Sequence, residues 1–247
     1  MSIVYYPNRI YKGKVPAIDR AMAKRSPRIV QGGQDLSSED IDVIISSDDD
    51  WQLNSIGWSF SATTARDFSA SIKQGRKVVE NINDSLWFHT PTTMPQNIHL
   101  DDGFYTGTEL AAELQSKMDA SPAYIADGVT FTAVYDSATG LFTVTPSKGA
   151  IRYLNVNTQQ RFFTKDSIAG HLFGFNVDGS FAATAVSDTE VYGLDSEVYI
   201  VNQDADASVS YSYNQLHTLS VDQAVHLESS SAGAVTVNYV VNYEEIV

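Results

Sequence analysis

The chain has 247 residues, of which 43% are hydrophobic and 19% charged, and it contains no cysteine. That composition supports a packed core and excludes wholesale disorder, disulfides, thiolate metal sites and cysteine nucleophiles. No apolar run reaches the ~18–20 residues that span a bilayer, and the opening stretch MSIVYYPNRIYKGKVPAIDR lacks an apolar signal core with a cleavage site, so neither a transmembrane nor a secretory reading is supported.

The net charge of −14 is unevenly placed. Residues 1–30 hold Arg9, Lys12, Lys14, Arg20, Lys24, Arg25 and Arg28 against the single acid Asp19, which gives them +6 and leaves −20 on the rest. A basic segment on an acidic body suits an anionic partner: nucleic acid, anionic lipid or an acidic subunit. Residues 1–34 therefore read as a basic N-terminal arm. Tyr5, Tyr6 and Tyr11 are its aromatic anchors, and they form the expected interaction set together with the seven basic residues. Pro16 suits the start of a short helix over 17–25, and Pro27 and Gly32–Gly33 read as breaks after it.

Residues 35–247 read as one β-rich body. Ser37–Asp40 followed by Ile41, Ile44 and Ile45 fits either a helix start or a strand. Ile56, Trp58, Phe60 and Ala62 alternate with polar residues, as do Phe68, Ala70 and Ile72, which is the pattern of half-buried strands. Gln74–Gly75 is a turn signal, Leu86–Phe88 a short apolar run, and Pro91 and Pro95 bracket a loop. Thr106, Gly107, Thr108 and Glu109 fit a capping box, and Leu110, Leu114 and Met118 follow on one helical face, with Pro122 past the end. Val129, Phe131, Ala133 and Tyr135, a turn over 136–140, then Leu141, Phe142 and Val144 predict a hairpin. The last third is strand text: 191–201; Val209, Tyr211 and Tyr213; Leu219, Val221 and Val225; and the long alternation Val235 to Tyr243. The fold class is mainly β, an antiparallel sandwich of jelly-roll type with one amphipathic helix.

The motifs of nucleophilic, phosphate-binding and zinc chemistry are absent. His89, His99, His171, His217 and His226 show no ligand spacing and read as ordinary side chains. Asp48–Asp50 and Asp204 with Asp206 cluster carboxylates as calcium sites do, without the spacing of an EF-hand loop, and read more simply as solvated turns. Asp101 and Asp102, adjacent on an extended segment, are expected to point to opposite faces and so cannot flank a glycosidic bond. No cofactor, metal, small-molecule substrate or enzymatic activity is expected. The tyrosines on alternating strands, Tyr211, Tyr213, Tyr239 and Tyr243, serve either subunit contacts or plain strand formation.

One stretch carries a resemblance. The sequence Asn97-Ile98-His99-Leu100-Asp101-Asp102-Gly103-Phe104-Tyr105-Thr106-Gly107-Thr108-Glu109-Leu110-Ala111 leads, through the hairpin, to Ser167-Ile168-Ala169-Gly170-His171-Leu172-Phe173-Gly174-Phe175. This order resembles a module of minor capsid and penton (vertex) proteins of icosahedral DNA viruses: virophages, polinton-like viruses and some lipid-containing phages. It covers about residues 97–175, as a helix-hairpin module inserted in the body, and the closing Leu-Gly-Phe carries an extra residue, Phe173. The resemblance implies a β-sandwich subunit of a virion that self-assembles as a homo-oligomer. Its partners would be other capsid proteins, with the genome or an internal membrane as further partners of the arm. Similar modules occur in head-fibre, spike and tail proteins of phages, so a receptor-binding role is the alternative.

Overall fold

A computed structural model describes residues 25–36, 41–47, 49–62, 66–154, 169–205, 210–229 and 235–246. The chain forms β1 (Arg25–Leu36), β2 (Ile41–Ile45), β3 (Trp51–Ala62), β4 (Arg66–Gln74), β5 (Arg76–Val78), β6 (Ser85–His89), β7 (Gln96–His99) and β8 (Gly103–Tyr105). Helices α1 (Gly107–Asp119) and α2 (Pro122–Asp127) follow, then β9 (Phe131–Asp136), β10 (Leu141–Pro146) and β11 (Arg152–Leu154). After α3 (Gly170–Phe173) come β12 (Ala185–Val186), β13 (Glu197–Ala205), β14 (Ser210–Tyr213), β15 (His217–Leu219), β16 (Gln223–Ser229) and β17 (Val235–Ile246).

Nine of these strands make an antiparallel β-sandwich. One sheet runs β1-β17-β3, with β14 and β15 pairing the free side of β3; the other runs β13-β4-β16-β2. Alternating residues of both sheets meet between them. Trp51, Leu53, Ile56, Trp58, Val237 and Val241 face Ile45, Phe68, Ala70, Val225 and Leu227, all buried, and Trp58 stacks on Phe68 at 4.0 Å. The alternation in β3 changes parity between Leu53 and Ile56. Its register with β17 shifts at the same place, between Asn242 and Tyr243. A bulge there inserts one residue and keeps all four large side chains on the inner face.

Strand β4 is followed in the chain by residues 75–196 before β13 returns to pair with it. This insert has a core of its own. It is built from Val78, Leu86 and Phe88 at one end of the sequence and Phe175, Val191 and Leu194 at the other, a wider span than the motif stretch 97–175. Its three small sheets run β12-β10-β9, β11-β6-β7 and β5-β8. Phe88, Tyr153 and Phe175 pack against one another with centroids 5.0–5.8 Å apart, a spacing that suits edge and offset aromatic contacts.

Helix α1 starts as its sequence predicts. Thr106 Oγ1 accepts from Glu109 N–H, and Glu109 accepts from Thr106 N–H at 2.8 Å. Leu110, Leu114 and Met118 are fully buried. The helix also covers the edge of β9, since Gln115 accepts from Ala133 N–H and Asp119 from Phe131 N–H, so that edge cannot template another strand. Gly107 is required because a Cβ there would lie 2.3 Å from the Tyr135 ring.

Several expectations need correction. The glycines at 32 and 33 do not break the chain. β1 runs through them, and the Tyr239 ring lies over Gly32, where a Cβ would meet it at 2.4 Å. An aromatic ring from the paired strand thus covers the bare backbone. Residues 41–45, which fit either a helix start or a strand by sequence, form a strand. The expected strand over 191–201 begins only at Glu197. The stretch Leu219 to Val225 is two strands divided by a turn, β15 pairing β3 and β16 pairing β4. Tyr243 is buried edge-on against Trp51, and Tyr239 is half-buried against the same core.

Replacing Leu114 with alanine should lower stability by about 2–5 kcal/mol, the cost of an unfilled core cavity. Chemical denaturation checks it, and an unchanged midpoint would show that α1 contributes nothing to the fold.

Candidate interaction surfaces

The expected interaction set falls mostly outside the described residues: Tyr5, Tyr6, Arg9, Tyr11, Lys12, Lys14, Arg20 and Lys24. The expected helix over 17–25 lies there too, except that Arg25 is the first residue of β1. Arg28 is exposed and pairs with Glu245 of its own chain, with two guanidinium nitrogens 3.0–3.1 Å from one carboxylate oxygen. An exposed pair of this kind adds little stability, but it fixes the direction of an edge strand that continues the basic segment.

Ser71, Glu197 and His226 meet on the outer face of the second sheet. Ser71 Oγ donates to Glu197 Oε1, and His226 Nδ1 donates to the same oxygen at 2.9 Å. The carboxylate lies between the hydroxyl and the imidazole, so the imidazole has no path to the serine proton. The arrangement lacks the nucleophile–base contact that acyl transfer needs. It is a polar network binding β4, β13 and β16 together.

His89 accepts at Nδ1 from Arg152 Nε at 3.2 Å, and burial followed by the charge of Arg152 lowers its pKa. His217 meets Tyr213 Oη at 2.7 Å, and His171 is exposed. Among the described residues no group of three or more histidines and carboxylates is spaced to hold a metal ion. Asp48 and Asp206 lie outside the described residues, while Asp49 and Asp50 are exposed.

Asp101 and Asp102 depart from expectation. They lie in the bend between β7 and β8, not on a strand, and both line one cleft with Glu80, Asp84 and His99. Strand alternation does not apply to a bend, and the two carboxylates are held by different elements. Asp101 pairs with Lys117 at 2.6 Å, and Asp102 accepts from Glu80 N–H. Asp84 is buried, 3% exposed. Its Oδ2 accepts from His99 Nδ1 at 3.0 Å, whereas Oδ1 meets no donor among the described residues. Tyr105 stands beside this surface with its pKa pushed up to about 12, first by burial and then by Glu113, Asp101, Asp102 and Glu109. The sequence hid this cleft because its members come from two turns brought together only by the fold.

No family model matches the chain, and no curated protein matches it at a significant level. Among solved structures, the crystal structure of the infectious bursal disease virus VP2 subviral particle aligns with 90% of this chain and 42% of its own, at 11% identity and a TM-score of 0.16. The chain spans less than half of that protein's length, and so loose an overlap carries no argument about role.

Burial pushes the Glu197 carboxyl up, but the hydrogen bonds from Ser71 and His226 outweigh it and hold the group below its ordinary 4.5. Glu109 is lowered in the same way against its burial, by Thr106 and Lys73. A carboxylate lowered on folding stabilises the fold above its unfolded pKa, and that contribution is lost as pH falls through the folded value. The denaturation midpoint should therefore drop on acidification below about pH 4.5, and Glu197→Gln should flatten part of that drop. Superimposable pH profiles for the two proteins would show that Glu197 is not linked to folding.

Proposed function

We propose that this chain is a non-catalytic structural subunit of a virus capsid, a minor capsid or penton vertex protein that self-assembles and meets its neighbours through its basic N-terminal segment. The observation that carries the reading is the order of strands in the sandwich. Taking β14 and β15 as one position, the strands alternate between the sheets at every step but one, from β1 through β4, then from β13 through β17. The exception is β4 to β13, neighbours in one sheet joined by the insert. Eight strand positions wound in this way support a jelly roll, the double Greek key used by viral capsid, lectin and cupin domains.

A fold of that kind hosts several functions, so the choice among them rests on other features. The sequence order over 97–175 resembles virion modules. Lectin-like or cupin-like chemistry would need a binding or metal constellation, and the Ser71–Glu197–His226 and acidic-cleft groups supply neither a nucleophile–base pair nor a metal cage. The charge division, +6 on residues 1–30 against −20 on the remainder, suits a subunit whose one end binds an anionic surface. A receptor-binding or fibre role shares the sandwich but leaves that division without a purpose.

Removal of residues 1–24 tests the reading. The shortened chain begins at β1, so it should remain folded, with an unchanged circular dichroism spectrum and melting profile. It should fail to enter particles when co-expressed with the other virion proteins. Incorporation equal to the full chain would contradict the proposal, as would reproducible turnover in a broad hydrolase screen that a single substitution abolishes.

A further inference from the structure

The turn from β5 to β6 and the bend from β7 to β8 are fastened side by side. Leu100 N–H donates to the Asp84 carbonyl at 2.8 Å, and Glu80 N–H donates to Asp102. Between them opens a cleft of about 390 Å³ whose ionisable lining is Glu80, Asp84, Asp101, Asp102 and His99. Four of the five are acids. Lys117 is shared between Asp101 and Glu113. Asp84, buried beneath them, keeps one oxygen without a donor among the described residues. A buried carboxylate oxygen is stabilised by a charged donor far more than by none.

A metal ion is a poor match for this cleft, since its carboxylates and imidazole do not form a cage. A compact organic cation fits the acid lining better. The strand registers locate the nearest concentrated supply. Arg25 pairs with Ile246, whose N–H donates to the Asp50 carbonyl at 2.7 Å, and Trp51 pairs with Leu219. In the facing sheet Gln74 pairs with Gln223, and Gly75 N–H donates to the Asp222 carbonyl at 2.9 Å. The start of β1 and the base of the insert therefore share one end of the sandwich. The basic segment thus leads into the fold at the end from which the insert, with its acidic cleft, departs.

We propose that this cleft receives a lysine from residues 1–24 of a neighbouring copy, with the exposed Asp101 and Asp102 as its acceptors and the buried Asp84 adding negative charge to the same lining. The proposal rests on the self-assembly reading and names its contact. Lys12, Lys14 and Lys24 are the candidates; their ammonium groups are compact point charges on flexible stems.

The test uses full-length chain, mixed in equal parts with isotopically light and heavy nitrogen, and joined by a zero-length carbodiimide that links carboxylates to lysines. Mass spectrometry then reads which peptides are joined and from which copies. Mixed-isotope pairs between residues 79–102 and residues 1–24 are expected. They should fall to background in the double variant Asp101→Asn and Asp102→Asn, which replaces exposed groups and retains an oxygen to accept from Glu80 N–H. Asp84→Asn should do the same, and the double variant stands alone should Asp84→Asn not fold. Three results overturn the inference: pairs of one isotope only, no pairs to this cleft, or pairs that persist undiminished in the double variant. Sedimentation of the same samples separates the two readings. Oligomers without these links refute the cleft contact and leave self-assembly standing, whereas monomers without them refute both.

Discussion

The pairing of β4 with β13 is the contact on which the rest of the structure depends. Each strand is nine residues long, and they lie antiparallel from Lys73 and Glu197 at one end to Arg66 and Ala205 at the other. All of the insert lies between them in the chain. Before they pair, the second sheet lacks its edge strand β13 and the insert has no fixed base. Once they pair, Gln74 N–H donates to the Ser196 carbonyl at 2.8 Å and the two ends of the insert are brought together. Closing so long a loop costs entropy that grows only slowly with its length, so the interface between the sheets can offset it.

Polar side chains then secure the junction. Lys73 on β4 reaches Glu109 of the α1 capping box at 3.2 Å, and Arg76 pairs with Asp222 at 2.8 Å. Asp195 accepts from both the N–H and the hydroxyl of Thr108. The start of α1 is thereby tied to both ends of the insert as well as to its own cap. A helix that seals the insert core is also the element that joins it to the sandwich. Acidification acts on this junction through Glu109 and on the sheet beside it through Glu197.

Much of the local structure was legible because it depends on local pattern. The capping box at Thr106 and Glu109, the buried face of Leu110, Leu114 and Met118, and the hairpin around Asp136 to Gly140 each need only neighbouring residues. Strand existence was legible in β3, β4 and β17 for the same reason. Their partners were not. Strand pairing is set by side chains on other strands and by burial, and β4 finds its neighbours at Gln223–Ser229 and Glu197–Ala205. Glycine misled at 32 and 33, because only the fold brings the Tyr239 ring across that backbone. Position also mattered at Asp101 and Asp102: they fall in a bend and not on a strand, and both residues line one cleft. The four acids and the imidazole of that cleft come from two chain segments separated by β6 and most of β7, which no spacing rule could have joined.

Charge is the feature that sequence and structure describe together. Four acids of the insert line a cleft with a buried carboxylate, and seven of the chain's sixteen lysines and arginines lie in residues 1–30, which lead into an edge strand. A protein with this division is suited to meeting its own kind. Sedimentation velocity of the full-length chain over a wide concentration range, at low and high salt, tests that most directly. A capsid subunit should form a discrete oligomer whose population rises with concentration and falls with salt, as screening weakens contacts between opposite charges. A monomer at every concentration and salt would contradict a building-unit role.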